Sequence, residues 1–162
     1  MGSCWPLVSD WPGAAQIVQI IVRLVLASVL GGMLGYEREL HGKAAGLRTH
    51  MLVALGAALF VLVALDAGAA PADLTRVIQG IATGIGFVGA GAILKLTEQG
   101  QVHVRGLTTA ASVWLTAAMG TAVGAGRLWL PVIGTVLALL ILAALRGYEA
   151  RLGIAENPPD PE

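Results

Sequence analysis

Five stretches of this chain are each long and apolar enough to cross a lipid bilayer, and little sequence separates them. A helix needs about 20 mostly apolar residues to span the hydrocarbon core. The stretches run from about Ala15 to Tyr36, Leu47 to Leu65, Val77 to Leu94, Leu107 to Ala125 and Leu128 to Leu145. They predict an all-α, polytopic membrane bundle of about five transmembrane helices over residues 15–146. A short segment, 1–14, precedes it, and a tail, 147–162, follows. The turn Gly124-Ala125-Gly126-Arg127 is so short that the last two helices should form a tight antiparallel hairpin. The tail ends Glu156-Asn157-Pro158-Pro159-Asp160-Pro161-Glu162, has no periodicity, and reads as disordered.

Composition agrees with burial in lipid. Charged residues are 12% of the chain, about half the roughly 25% of a globular domain and too few to cover a soluble surface. The 22 glycines against 5% aromatics suit close-packed membrane helices better than a soluble core. A net charge of zero gives a nucleic-acid partner no electrostatic support. Cys4 is the lone cysteine, which excludes an intrachain disulfide and a four-thiolate metal site. Residues 1–13 lack a basic leading region and carry Trp5, Pro6, Trp11 and Pro12, so no signal peptide is expected.

Lys and Arg set the orientation. The first loop, the third loop and the C-terminal end share one side, which holds Arg38, Lys43, Arg48, Lys95, Arg105, Arg146 and Arg151. The other side holds Arg76 and Arg127, and Arg23 lies within a span. The N-terminus is therefore expected outside and the C-terminus in the cytoplasm, with Trp5, Trp11 and Trp129 at the outer interface. Segments 46–63 and 106–123 also resemble each other. Gly46-Leu47-Arg48-Thr49 and Gly106-Leu107-Thr108-Thr109 open two spans 60 residues apart, and Val53, Leu55, Ala57, Ala58 and Val63 recur as Val113, Leu115, Ala117, Ala118 and Val123. This reads either as a parallel repeat of helix hairpins or as chance similarity among Gly/Ala/Val/Leu helices.

Polar residues inside the spans are the candidates for function. At 100° per residue, Gln16, Gln19, Arg23 and Glu37 share one face of the first span, with Leu30 and Leu34 between them. That stripe should face protein or a wet cavity. Arg23 is expected either to snorkel to the outer interface or to pair inside, with Asp66 as the first candidate partner and Gln79 nearby. The third span carries Gly80, Gly84, Gly86, Gly89 and Gly91, read as backbone-to-backbone packing or, alternatively, as a local break offering carbonyls to an ion. Thr109, Ser112, Thr116 and Gly120 share a face of the fourth span, able to bond toward the glycine-rich helix or to line a narrow polar path.

The densest polar cluster falls at the cytoplasmic end: Glu37, Arg38, Glu39 and His41 closing the first span, Arg48, Thr49 and His50 opening the second, with the repeat placing Arg105, Thr108 and Thr109 close by. Hydrated magnesium takes one or two carboxylates, so Glu37 and Glu39 are weak candidate ligands. The alternative is a solvated helix end whose charges pair among themselves. No nucleophile–base constellation, HExxH motif or phosphate-cradling loop is present, so the chain reads as non-enzymatic, with no cofactor beyond Mg²⁺ itself.

Three stretches in order carry a family resemblance: Leu30-Gly31-Gly32-Met33-Leu34-Gly35-Tyr36-Glu37-Arg38-Glu39-Leu40; Ala45-Gly46-Leu47-Arg48-Thr49-His50-Met51-Leu52-Val53-Ala54-Leu55-Gly56; and Gly84-Ile85-Gly86-Phe87-Val88-Gly89-Ala90-Gly91 leading to Val104-Arg105-Gly106-Leu107-Thr108-Thr109. With them the chain resembles the MgtC/SapB family of bacterial membrane proteins, over roughly Arg23 to Arg146. The resemblance implies a multi-pass protein of the bacterial cytoplasmic (inner) membrane, linked to growth in low magnesium and in some pathogens to virulence. Longer members add a cytoplasmic C-terminal domain, which is expected to be absent here. Two readings follow. One is a regulatory module that acts on another membrane protein, such as a transporter or ATPase. The other is a transporter or channel for magnesium or another cation, working as a homo-oligomer. A fixed Arg23 in the outer half would repel a cation, which favours the first.

Overall fold

The computed structural model describes residues 13–98 and 101–151. The segment with Cys4, Trp5 and Trp11, and the chain from residue 152, lie outside the described residues. Five helices run back and forth: α1 (Ala14–Leu40), α2 (Leu47–Asp66), α3 (Pro71–Gly91), α4 (Leu107–Gly124) and α5 (Trp129–Arg151). Between α3 and α4 stands an antiparallel hairpin of β1 (Leu94–Glu98) and β2 (Gln101–Arg105), in register Leu94↔Arg105 through Glu98↔Gln101. By length and composition α1, α2, α4 and α5 can each cross a membrane. Helix α3 is long enough, at 21 residues, but its first half carries Asp73, Thr75, Arg76 and Gln79.

The ends of the helices follow from glycine placement. Helices α1, α2 and α4 each close with a left-handed glycine two residues past the last helical one: Gly42 (φ 60°), Gly68 (φ 77°) and Gly126 (φ 78°). At each, two amides fold back on the last turn, as in Gly126 N to Val123 O (2.9 Å) and Arg127 N to Ala122 O (2.9 Å). This pair of hydrogen bonds satisfies carbonyls that would otherwise be orphaned. It also makes the connection from α4 to α5 the tight hairpin the sequence predicts.

Small residues hold the centre together. A Cβ on Gly31 would stand 2.6 Å from the His50 carbonyl, and one on Gly35 would stand 2.8 Å from the Leu47 Cα, so α1 and α2 touch backbone to backbone. Gly120 lies directly on the Ala54 carbonyl, and a Cβ on Gly124 would be 2.7 Å from that of Ala58. Contacts between α2 and α4 thus advance in the same chain direction, and the two helices run parallel, opening at Leu47 and Leu107 in keeping with the 60-residue offset. Ala27, Leu30, Ala54, Ala58 and Val123 close into an apolar core between α1, α2 and α4. A second cluster, Leu34, Met119 and Ala138, brings in α5.

Two expectations need correction. Hydropathy puts the third span at Val77–Leu94, but the helix runs from Pro71 to Gly91 and Leu94 already belongs to β1. The spacing of its glycines predicts packing within the bundle. Only Gly89 packs so, meeting Ala110 at 3.6 Å; a Cβ on Gly80, Gly84, Gly86 or Gly91 would meet nothing within 4 Å. The physical reason is that α3 meets α4 around Gly89, while its other glycines border grooves or open space. An apolar groove of about 480 Å³ separates it from α2, lined among others by Leu52, Phe60, Val77, Gly84 and Val88. A second groove, of about 320 Å³, separates it from Trp114, Ala118 and Ala122 of α4.

Candidate functional site at the basic end of the bundle

Glu37 sits one turn before the end of α1, where its carboxylate meets two guanidinium groups. Arg38 grips it from the same helix, Nε to Oε2 at 2.7 Å and Nη2 to Oε1 at 3.3 Å. Arg146, near the end of α5, donates from Nη2 to the Glu37 Oε1 and from Nη1 to His41 Nε2. His41 completes the set by donating Nδ1–H to the Glu37 carbonyl at 2.6 Å, which leaves Nε2 as the acceptor for Arg146. The Arg38 side chain is 3% exposed and that of Glu37 16%, so these are interior charges held by bidentate geometry rather than a solvated helix end.

Glu39 has a different task. Gly46, the residue capping α2, has no side chain to satisfy the first amides of that helix. The Glu39 Oε2 accepts from Leu47 N at 2.7 Å and so caps α2 from across the turn, with its negative charge at the positive end of the helix dipole. The expected two-carboxylate magnesium site does not fit this arrangement. The Glu37 oxygens are engaged by guanidiniums and Glu39 caps a helix, and no group of three His, Cys, Asp or Glu side chains with metal-ligand spacing occurs among the described residues.

Behind the capped turn lies a polar seam between α2 and α4. His50, fully buried, donates Nδ1–H to the Gly46 carbonyl at 2.9 Å, and its Nε2 lies 3.1 Å from Ser112 Oγ. Ser112 Oγ is also 2.8 Å from the Thr109 carbonyl, and Thr116 Oγ1 bonds back to the Ser112 carbonyl at 2.8 Å. Ser112 has a single hydroxyl proton, so it can donate to only one of these two acceptors at a time. Of the two sequence expectations for Thr109, Ser112, Thr116 and Gly120, a bond toward α3 is not the one made: Ser112 and Gly120 on this face meet α2, at His50 and Ala54. Arg48 and Thr108 are exposed, Thr49 and Arg105 are half-buried, and the Arg105 Nε is buried without a partner among the described residues.

At the opposite end the pairing also differs from expectation. Arg23 donates Nη1–H to the Gly124 carbonyl at 3.1 Å, an acceptor freed at the last turn of α4. Asp66 instead takes Gln16 Nε2 at 3.0 Å, and Gln79 is exposed on α3. Arg23, Gln16, Gln19 and Asp66 do share a pocket of about 170 Å³. Arg146 is a site member that sequence reasoning misses. Its place toward the end of an apolar helix is the available signal, because a cation there must find either solvent or a carboxylate on a neighbour.

The sequence profile of the MgtC family matches residues 24–151, which takes in every residue of the basic-end cluster. The chain belongs to the MgtC family. SrpB of Synechococcus elongatus is 43% identical over 146 residues, 85% of this chain and 77% of that protein. YhiD of Escherichia coli K12, whose name designates it a candidate magnesium transporter, is 40% identical over 141 residues, 83% of this chain and 64% of its own. MgtC of Brucella abortus is 44% identical over 120 residues, 74% of this chain and 48% of its own. This MgtC-family chain thus spans about two thirds of YhiD and about half of the Brucella protein. No solved structure gives a significant match. The chain is a multi-pass membrane protein.

Proposed function

We propose that this protein sits in the bacterial cytoplasmic membrane with its N-terminus outside and its basic end in the cytoplasm, and serves magnesium homeostasis as a regulatory module on another membrane protein. The magnesium link rests on the family and on the name carried by YhiD. The regulatory role rests on one observation above all. The apolar cluster of Ala27, Leu30, Ala54, Ala58 and Val123 stands between the polar groups of the two ends, and a hydrated cation passing through a single bundle would have to cross it. The charges at the basic end are, moreover, spent on one another, as Glu37 with Arg38 and Arg146. What remains for a partner is the exposed rim, Arg48 and Thr108. A membrane transporter or ATPase with an acidic cytoplasmic face fits that rim.

Cation transport is the second reading, favoured by the His50–Ser112–Thr116 seam, which carries polar groups into the bundle. Growth in low magnesium separates contact at the rim from internal structure. Arg48→Gln, which touches no described partner, should abolish support for growth while the amount of protein in the membrane stays at the parent level. Normal growth of that variant would remove the rim from the mechanism.

A further inference from the structure

Helix α3 is turned the wrong way round for a helix that faces lipid. At 100° per residue, Arg76, Gln79, Gly80, Thr83 and Phe87 fall within an arc of roughly 100°, and Leu74, Val77, Ile81, Ile85 and Gly89 lie on the opposite side. The second set is the one turned toward the bundle: Leu74, Val77, Ile81 and Ile85 are half-buried, and Gly89 is buried. The first set is exposed throughout, with Phe87 at 84%. The large aliphatic side chains therefore point inward, and the amide and the hydroxyl point out.

Gln79 lies about 12 Å along the helix from Pro71, at 1.5 Å per residue, and neither Gln79 nor Thr83 has a hydrogen-bond partner among the described residues. An unpaired amide facing hydrocarbon is costly, and polar side chains on membrane helices answer that cost by bonding to a facing helix. We infer that the Arg76–Gln79–Thr83–Phe87 face of α3 is the contact with a second copy of this chain, α3 packing in parallel on α3 about a two-fold axis along the bilayer normal.

The face is complementary to itself. All copies insert in one orientation, so a two-fold contact sets each residue opposite its own twin at one depth. A carboxamide carries both donor and acceptor and can pair with an identical carboxamide; the Thr83 hydroxyl can do the same. Asp73 and Arg76, 3.6 Å apart on one helix, give the face one charge of each sign at its outer end, so the pair can exchange partners between copies without loss of balance. Gly80, at the edge of this face where it borders the α2 groove, carries no side chain to hold a neighbour off. A partner of different sequence would have to reproduce this amide, hydroxyl and charge pattern at matching depth.

Single cysteines introduced into full-length Cys4→Ser protein test the contact in native membranes. Thr83→Cys and Arg76→Cys should cross-link under mild oxidation into a species of twice the 16.6 kDa chain mass, at least fivefold more than Val25→Cys, an exposed position on α1. Adding Gln79→Leu should weaken association ~10-fold and lower Thr83→Cys cross-linking accordingly, while membrane insertion is kept because an exposed amide has become apolar. Cross-linking no greater than at Val25, adducts only with a protein of another mass, or yields unmoved by Gln79→Leu would each overturn the inference.

Discussion

Glu37 carries more structural responsibility than its place at a helix end suggests. Its carboxylate ties the last turn of α1 to the C-terminal part of α5 through Arg146 and keeps the 3%-exposed Arg38 paired. Hydrogen bonds to charged groups contribute about 1.5–3 kcal/mol, and removing one partner leaves the others unpaired. Glu37→Gln should therefore lower thermal stability by about 1–3 kcal/mol, read as an earlier unfolding transition in mild detergent, with Arg146→Gln falling in the same range. An unchanged transition for both would mean that the groups are solvated. Arg23 differs, since its acceptor is a backbone carbonyl that any donor of similar reach can use. Arg23→Lys should retain folded yield where Arg23→Leu, which leaves the Gly124 carbonyl bare, loses part of it; equal yields would show Arg23 only snorkels. The pairing of Glu37 with its neighbour Arg38 is legible in the sequence. The link to Arg146 is not, because only the packing of α5 on α1 brings them together.

At the scale of elements, glycines with the same look in the sequence have opposite surroundings. Gly120 lies on the Ala54 carbonyl, and a methyl there has no room to move, because the obstacle is backbone. Gly84 opens into the groove between α2 and α3. Gly120→Ala should destabilise the bundle by about 1–3 kcal/mol, whereas Gly84→Leu should leave its thermal stability within experimental error of the parent. The reverse order would contradict the packing described. Glycine is densest in α3, yet α1, α2 and α4 carry the close contacts, with fewer glycines matched by small partners such as Ala54 and Ala58. Periodicity cannot reveal this, because both kinds of helix show small residues at spacing four. The hairpin between α3 and α4 does leave a trace in the sequence. Leu94-Lys95-Leu96-Thr97 and Gln101-Val102-His103-Val104 alternate polar and apolar residues as strands do, but they are short and sit between spans, where the hydrophobic runs on either side dominate the pattern.

For the whole molecule, spans and class are written in the hydrophobic runs, because a bilayer leaves the backbone of a crossing segment little choice but helix. The basic loops predict the orientation, and Cys4 gives that expectation a direct check. A membrane-impermeant thiol reagent should label that residue in intact spheroplasts; labelling only after lysis would place the N-terminus inside. Whether one bundle passes magnesium depends on the apolar core between the two polar ends. Purified protein, shown to be folded, should be placed in liposomes loaded with a magnesium indicator and given an inward gradient. Flux no greater than in protein-free liposomes is expected, whereas robust, protein-dependent magnesium entry would contradict a regulatory role for a bundle closed by its apolar core.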